Sequence, residues 1–120
     1  MANILLFDDS ADLLEMFQFI LQANGYETIT TDTKKQFEQE LLNKRPDLIL
    51  IDIHLRDADG REVCKAIKEN PETKNIPVIL MSANSEKLGL SEGYLADEIL
   101  EKPFDISVLK SKIESLVKGK

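Results

Sequence analysis

The sequence has one cysteine, Cys64, among 120 residues. No internal disulfide can form, and a reducing compartment is the natural setting. Positive charge is also short: 15 Lys and Arg against 22 Asp and Glu leave a net charge of −7. A surface of that sign repels phosphate backbones, which argues against direct nucleic-acid binding and leaves room for a divalent cation or a basic partner surface. Long apolar runs are missing as well. Ile4-Leu5-Leu6-Phe7 is too short for a signal-peptide core, lacks a basic leader and ends in two aspartates. No stretch reaches the length of a membrane span, so the expectation is a soluble cytoplasmic protein with no membrane partner. His54 has no second His or Cys nearby in sequence, so its default reading is an exposed loop histidine. Repeats, linkers and low-complexity segments are absent too.

What is present suits a compact fold. A hydrophobic fraction of 42% and a charged fraction of 31% are ordinary for a globular chain. A chain of this length buries roughly two-thirds of its unfolded surface, and residues 1–120 are expected to form one domain. Its centre is Leu48-Ile49-Leu50-Ile51-Asp52, four large aliphatics after the breaker Pro46 that stop at a carboxylate. A strand buried on both faces reads this way.

Asn3 to Phe7 is a first strand, followed by Asp8-Asp9-Ser10. Leu13, Leu14, Phe17, Ile20 and Leu21 recur at helical spacing, with Ser10 or Asp9 as cap and Asn24-Gly25 as stop, which predicts a helix from about Ala11 to Ala23. Tyr26 to Thr31 reads as a second strand. Thr33 to Lys44 is a second helix with Phe37, Leu41 and Leu42 on one face, ended before Pro46. After the central strand, Asp59-Gly60-Arg61-Glu62 resembles a capping box opening a third helix with Val63, Ala66 and Ile67 inward. Pro77 to Ser82 is a fourth strand. Ala83 to Glu92 is a helix interrupted by Gly89 and Gly93. Glu98 to Glu101 is a fifth strand with Ile99 and Leu100 as its apolar pair, and Asp105 caps a last helix with Val108, Leu109, Ile113, Leu116 and Val117 on its buried side. Cys64, Phe17 and Phe37 read as core. Alternation with continuous apolar strands predicts an α/β fold, a doubly wound parallel sheet of five strands with helices on both faces.

Polar residues close the strands: Asp8-Asp9, Asp52, Ser82 and Lys102. In a parallel sheet these ends share one edge, where open α/β sheets keep their chemistry. Two charges about 4 Å apart repel by roughly 4 kcal/mol at an effective dielectric near 20, so three carboxylates there call for a cation. Hard oxygen ligands favour Mg2+. Lys102 adds a charge suited to a phosphoryl group, and a carboxylate beside both is placed to accept that group covalently. Taken singly, Asp8-Asp9-Ser10 is a helix cap, Lys102 a solvated loop residue and Ser82 uninformative; the combination makes a site.

On these motifs, together with Asp59-Gly60, Ser82-Ala83 and Lys102-Pro103-Phe104, the chain resembles a response-regulator receiver domain of two-component signalling over essentially its whole length. The resemblance implies the flavodoxin-like strand order 2-1-3-4-5. It implies Asp52 as phosphoacceptor, fed by a phosphohistidine on a sensor histidine kinase or histidine phosphotransfer protein. Asp9, Asp52 and the His54 backbone carbonyl would hold Mg2+, with Asp8 assisting through water. Lys102 would pair with a phosphoryl oxygen across a cis Lys102-Pro103 bond, and Ser82 would report the group's arrival. His54 and Asn84 would tune its hydrolysis. Such a domain is a signalling switch rather than a turnover enzyme. Its output would pass by contact to a downstream protein target.

Departures from the family pattern stand beside this. Arg56 replaces a common proline, Ser82 a threonine and Ile99 an aromatic, and the segment between Ser82 and Lys102 is two residues shorter than usual. Tyr94 is the nearby aromatic that could take the switch role. Three other functions compete: a flavin or nucleotide carrier, which needs a glycine-rich loop where Asp8-Asp9 stands; an aspartate-nucleophile phosphatase, which needs a second aspartate where His54 stands; and a receiver-shaped scaffold acting without phosphorylation.

Overall fold

The computed structural model of the protein describes residues 2–83 and 92–118. The chain runs β1 (Asn3–Phe7), α1 (Ala11–Ala23), β2 (Glu27–Thr31), α2 (Lys34–Lys44), β3 (Leu48–Asp52), α3 (Gly60–Glu69), β4 (Val78–Ser82), a 3-10 turn (Glu92–Tyr94), β5 (Glu98–Glu101) and α4 (Ile106–Lys118). The five strands form one parallel sheet in the order β2-β1-β3-β4-β5. The expected Ala83–Glu92 helix, with Gly89 and Asn84, falls largely outside the described residues. Among the described residues no helix is long and apolar enough to cross a membrane.

Leu48, Ile49, Leu50 and Ile51 of β3 have no solvent exposure. Successive strand residues point to opposite faces, so β3 feeds two cores. Leu48 and Leu50 pack with Phe17, Leu109 and Ile113 under α1 and α4. Ile49 and Ile51 pack with Phe37, Val63 and Ile67 under α2 and α3. Each such side chain contributes about 1.5–3 kcal/mol on burial.

Local chemistry sets the helix ends. The Ser10 hydroxyl accepts from the Leu13 amide and starts α1. Gly25, at φ 88°, ends it: the Gly25 amide donates to the Gln22 carbonyl and the Tyr26 amide to the Leu21 carbonyl, the paired bonds of a glycine-terminated helix. That turn uses the Tyr26 amide, so β2 begins at Glu27 rather than Tyr26. Asp59 caps α3, but its carboxylate accepts from the Arg61 amide.

Four apolar assignments are corrected. Leu42 is 66% exposed, Val108 41% and Ile99 44%, and Ala66 is exposed too. Helical neighbours are turned about 100° from one another, which carries Val108 away from the Leu109–Ile113 stripe and Ala66 away from Ile67. Ile99 and Leu100 face opposite sides of β5, and the buried member is Leu100.

Cys64 is fully buried on α3, and burial pushes its thiol from an ordinary 9.0 up to about 12. Because the folded value lies above the unfolded one, its contribution to stability is whole below 9.0 and is lost as pH rises toward 12. Iodoacetamide at mildly alkaline pH is therefore expected to leave the folded protein unmodified and to label it quantitatively in urea, read by intact mass. Rapid labelling without denaturant would contradict the packing of α3.

Candidate functional site

Strand register brings the polar ends to one edge. Phe7 pairs with Ile51, so Asp8 comes level with Asp52 on the neighbouring strand. Asp52 pairs with Met81, and Ser82 follows at the end of β4 with no exposure. Ser82 pairs with Glu101, and the Lys102 amide donates to the Ser82 carbonyl at 2.8 Å. Lys102 thus leaves β5 beside the same edge, through a Lys102-Pro103 peptide that is cis, as the resemblance implied.

Lys102 Nζ donates to Asp8 Oδ2 and to Asp52 Oδ2, both at 3.0 Å. All three side chains are largely withdrawn from water, at 17% exposure for Lys102, 3% for Asp8 and 12% for Asp52. Short charge-assisted bonds of this kind are stronger than neutral ones. Backbone amides orient the other oxygens: Asp8 Oδ1 accepts from Ser10 at 2.9 Å, and Asp52 Oδ1 from His54 at 3.0 Å. The His54 residue itself is exposed, as the loop reading expected.

Behind Asp52 the chain allows no side chain. A Cβ on Gly60 would strike the Asp52 carbonyl oxygen and lie 2.8 Å from Ile53 Cα. The Gly60 amide instead donates to the Ile53 carbonyl at 3.0 Å, closing the loop after β3. On its far side the Lys34 amide donates to Asp57 at 2.9 Å.

Asp9 stands apart from the Lys102 pair. Its Oδ1 is out of contact with water and accepts no hydrogen bond. Arg56 Nε lies 3.8 Å away, within ion-pairing range but beyond hydrogen-bond range. The expected meeting of three carboxylates is therefore partial: Asp8 and Asp52 converge on Lys102, while Asp9 faces Arg56. Among the described residues no three His, Cys, Asp or Glu side chains form a ready-made metal cage.

The donor set still fits a hydrated hard cation. Mg2+ keeps several waters and takes one or two carboxylates rather than a closed protein shell. Asp9 Oδ1 has no hydrogen bond to give up, and each oxygen of Asp52 can accept more than one bond.

Two features escaped the sequence reading. The close approach of Gly60 to Asp52 has no signature beyond the Asp59-Gly60 pair. The guanidinium of Arg61 lies 5.3 Å from the centre of the Tyr94 ring and is hydrogen-bonded to Asp59, which holds its pKa above the usual arginine value. No spacing in the chain announces that contact.

A family model described as the response regulator receiver domain matches residues 4–114. The phosphate regulon transcriptional regulatory protein PhoB of Pseudomonas aeruginosa is 31% identical over 120 residues, covering 97% of this chain and 52% of that protein. The alkaline phosphatase synthesis transcriptional regulatory protein PhoP of Bacillus subtilis is 29% identical, covering 97% and 48%. The chain spans about half the length of these curated relatives. The signal receiver domain of a signal transduction histidine kinase from Syntrophus aciditrophicus is similar with a TM-score of 0.92 at 30% identity, over 99% of this chain and 92% of that one. Response regulator protein TrrA from Thermotoga maritima, solved in complex with Mg2+ and BeF, gives a TM-score of 0.86 at 31% identity, over 97% and 99%. With the 2-1-3-4-5 sheet and the family match over nearly all of its length, the chain belongs to the response regulator receiver domain family of two-component signalling.

Proposed function

We propose that the domain is a phosphoacceptor switch in which Asp52 takes a phosphoryl group from a phosphohistidine of a sensor histidine kinase or histidine phosphotransfer protein. The observation that carries this is the Lys102 ammonium bridging Asp8 and Asp52 at 3.0 Å each, from a position 94 and 50 residues away in sequence. A buried lysine between two buried carboxylates is costly for stability alone and useful where a doubly charged group must be received.

Asp52 Oδ1 is oriented by the His54 amide while Oδ2 rests on Lys102. A carboxylate oxygen of Asp52 attacks phosphorus, the O–P bond forms, the N–P bond of the donor breaks, and its electron pair stays on the imidazole nitrogen. Lys102 exchanges its bond to Asp52 for one to a phosphoryl oxygen and keeps Asp8 as its other partner. The Ser82 hydroxyl, at the end of the adjacent strand, turns to donate to the same group. Asp9 and Asp52 with the His54 carbonyl, and Asp8 through water, would hold a divalent ion, which would supply charge neutralisation when bound. Positioning and electrostatics of this sort supply most of the catalysis in phosphoryl transfer. The new charge then biases the loop after β3 and the Ser82 end of β4 toward a partner-binding state. We place this switch in the cytoplasm, with output through contacts to another protein or domain.

Incubation with Mg2+ and a small acyl phosphate should raise the intact mass by one phosphoryl group, and Asp52→Asn should stay unmodified. An unchanged wild-type mass, or equal modification of the variant, would overturn the proposal. Partner binding that is the same for wild type and Asp52→Ala would favour the scaffold reading.

A further inference from the structure

Lys102 is committed to Asp8 and Asp52, which leaves the third carboxylate of the crevice to another cation. Asp9 Oδ1 is buried and accepts no hydrogen bond. A withdrawn carboxylate oxygen without compensation is expensive, and Arg56 Nε, at 3.8 Å, supplies the charge without the hydrogen bond. The Arg56 side chain is 73% exposed against 20% for Asp9. It reaches the crevice as a loosely held arm on the loop after β3, and exposed pairs of this kind are weak.

We propose that Arg56 is a tethered counter-ion for Asp9, displaced when a divalent cation binds, and that it thereby sets the Mg2+ concentration at which the site becomes competent. The inference rests on the reading of Asp9 as a metal ligand. Two effects act in one direction. The ion must break the Arg56–Asp9 contact, and the displaced guanidinium, still on its loop, raises the local positive potential against the incoming ion. Removing the arginine's charge relieves both. Because the pair lacks a hydrogen bond, the guanidinium acts as a charge rather than a fork, so lysine should serve in its place.

The test is a MgCl2 titration at constant ionic strength, followed by amide NMR shifts of the crevice, on wild type, Arg56→Gln, Arg56→Lys, Asp9→Asn and the Asp9→Asn/Arg56→Gln double variant. Arg56→Gln is expected to lower the Kd by about two- to fivefold, the range that an exposed ion pair allows. Arg56→Lys should stay near wild type, and the difference should shrink in high salt as the pair is screened. In the Asp9→Asn background the Arg56→Gln effect should shrink to what the guanidinium's general repulsion of the ion leaves, the non-additivity expected of directly coupled residues. An unchanged or higher Kd for Arg56→Gln, a lysine variant as tight as the glutamine one, or an Arg56 effect that survives Asp9→Asn undiminished would overturn the proposal. Wild-type affinity in Asp9→Asn, or no Mg2+ binding by wild type and Arg56→Gln alike, would overturn the metal reading beneath it instead.

Discussion

Lys102→Met is expected to lower stability by about 3 kcal/mol in metal-free buffer, the largest loss for a single side chain at the site. Removing one partner from a buried ionic cluster typically costs about 3–5 kcal/mol, because the charges left behind are uncompensated. Here two carboxylates remain, Asp8 at 3% and Asp52 at 12% side-chain exposure. Residual solvent at the crevice mouth places the estimate at the low end of that range. Thermal unfolding should fall by roughly 10 °C, given several degrees per kcal/mol for a domain of this size. Added Mg2+ should recover part of the loss by neutralising the same carboxylates, more in the variant than in wild type. Asp52→Asn should move stability little in either direction. The amide oxygen can accept from only one of the two donors that Asp52 now serves, the His54 amide or Lys102, and the bond lost is offset by the carboxylate repulsion that disappears. Scanning calorimetry of the three proteins with and without Mg2+ separates these outcomes. A Lys102→Met protein as stable as wild type without metal would mean that the ammonium does not hold the two aspartates together. The same variant should lose phosphoryl uptake by intact mass even where Mg2+ restores its stability.

Gly60→Ala is expected to cost about 3 kcal/mol and to displace Asp52. The added Cβ meets the Asp52 carbonyl oxygen and comes within 2.8 Å of Ile53 Cα. These are backbone atoms of a central strand end, so nothing flexible can yield. Relief requires α3 to back away from β3, which opens a gap around Val63 and Ile67 in the core between the helix and the sheet. Overpacking of this kind costs typically 1–3 kcal/mol and sometimes more. Gly93 provides the control: a Cβ there meets nothing within 4 Å, and Gly93→Ala should stay within about 0.5 kcal/mol of wild type. Urea denaturation compares the two. Phosphoryl uptake under the mass assay should fall in Gly60→Ala and persist in Gly93→Ala. Equal stability of the two variants would show that the loop after β3 has slack.

The elements were legible because their signals are local. Four apolar runs closed by polar residues mark β1, β3, β4 and β5 without any knowledge of packing, and Asn24-Gly25 ends α1 by backbone bonds among residues 21 to 26. Parallel alternation follows from the order of those elements, and a common edge for Asp8, Asp52, Ser82 and Lys102 follows from parallel strands. The side-chain errors share one cause. Leu42, Ala66, Val108 and Ile99 each adjoin a better covered apolar neighbour, Leu41, Ile67, Leu109 and Leu100; the helical or strand period lets only one of each pair face fully inward, and the element packed against it decides which.

By itself the sequence determined the strand and helix order, the convergence of acidic and basic side chains on one sheet edge, and hence the kind of chemistry possible there. Tertiary structure decided how those charges are shared: Lys102 goes to Asp8 and Asp52, Asp9 to Arg56, and Gly60 lies against the acceptor's own backbone. Partner choice among charges depends on distances of a few ångströms set by strand register and loop closure, and these arise only when remote segments pack together.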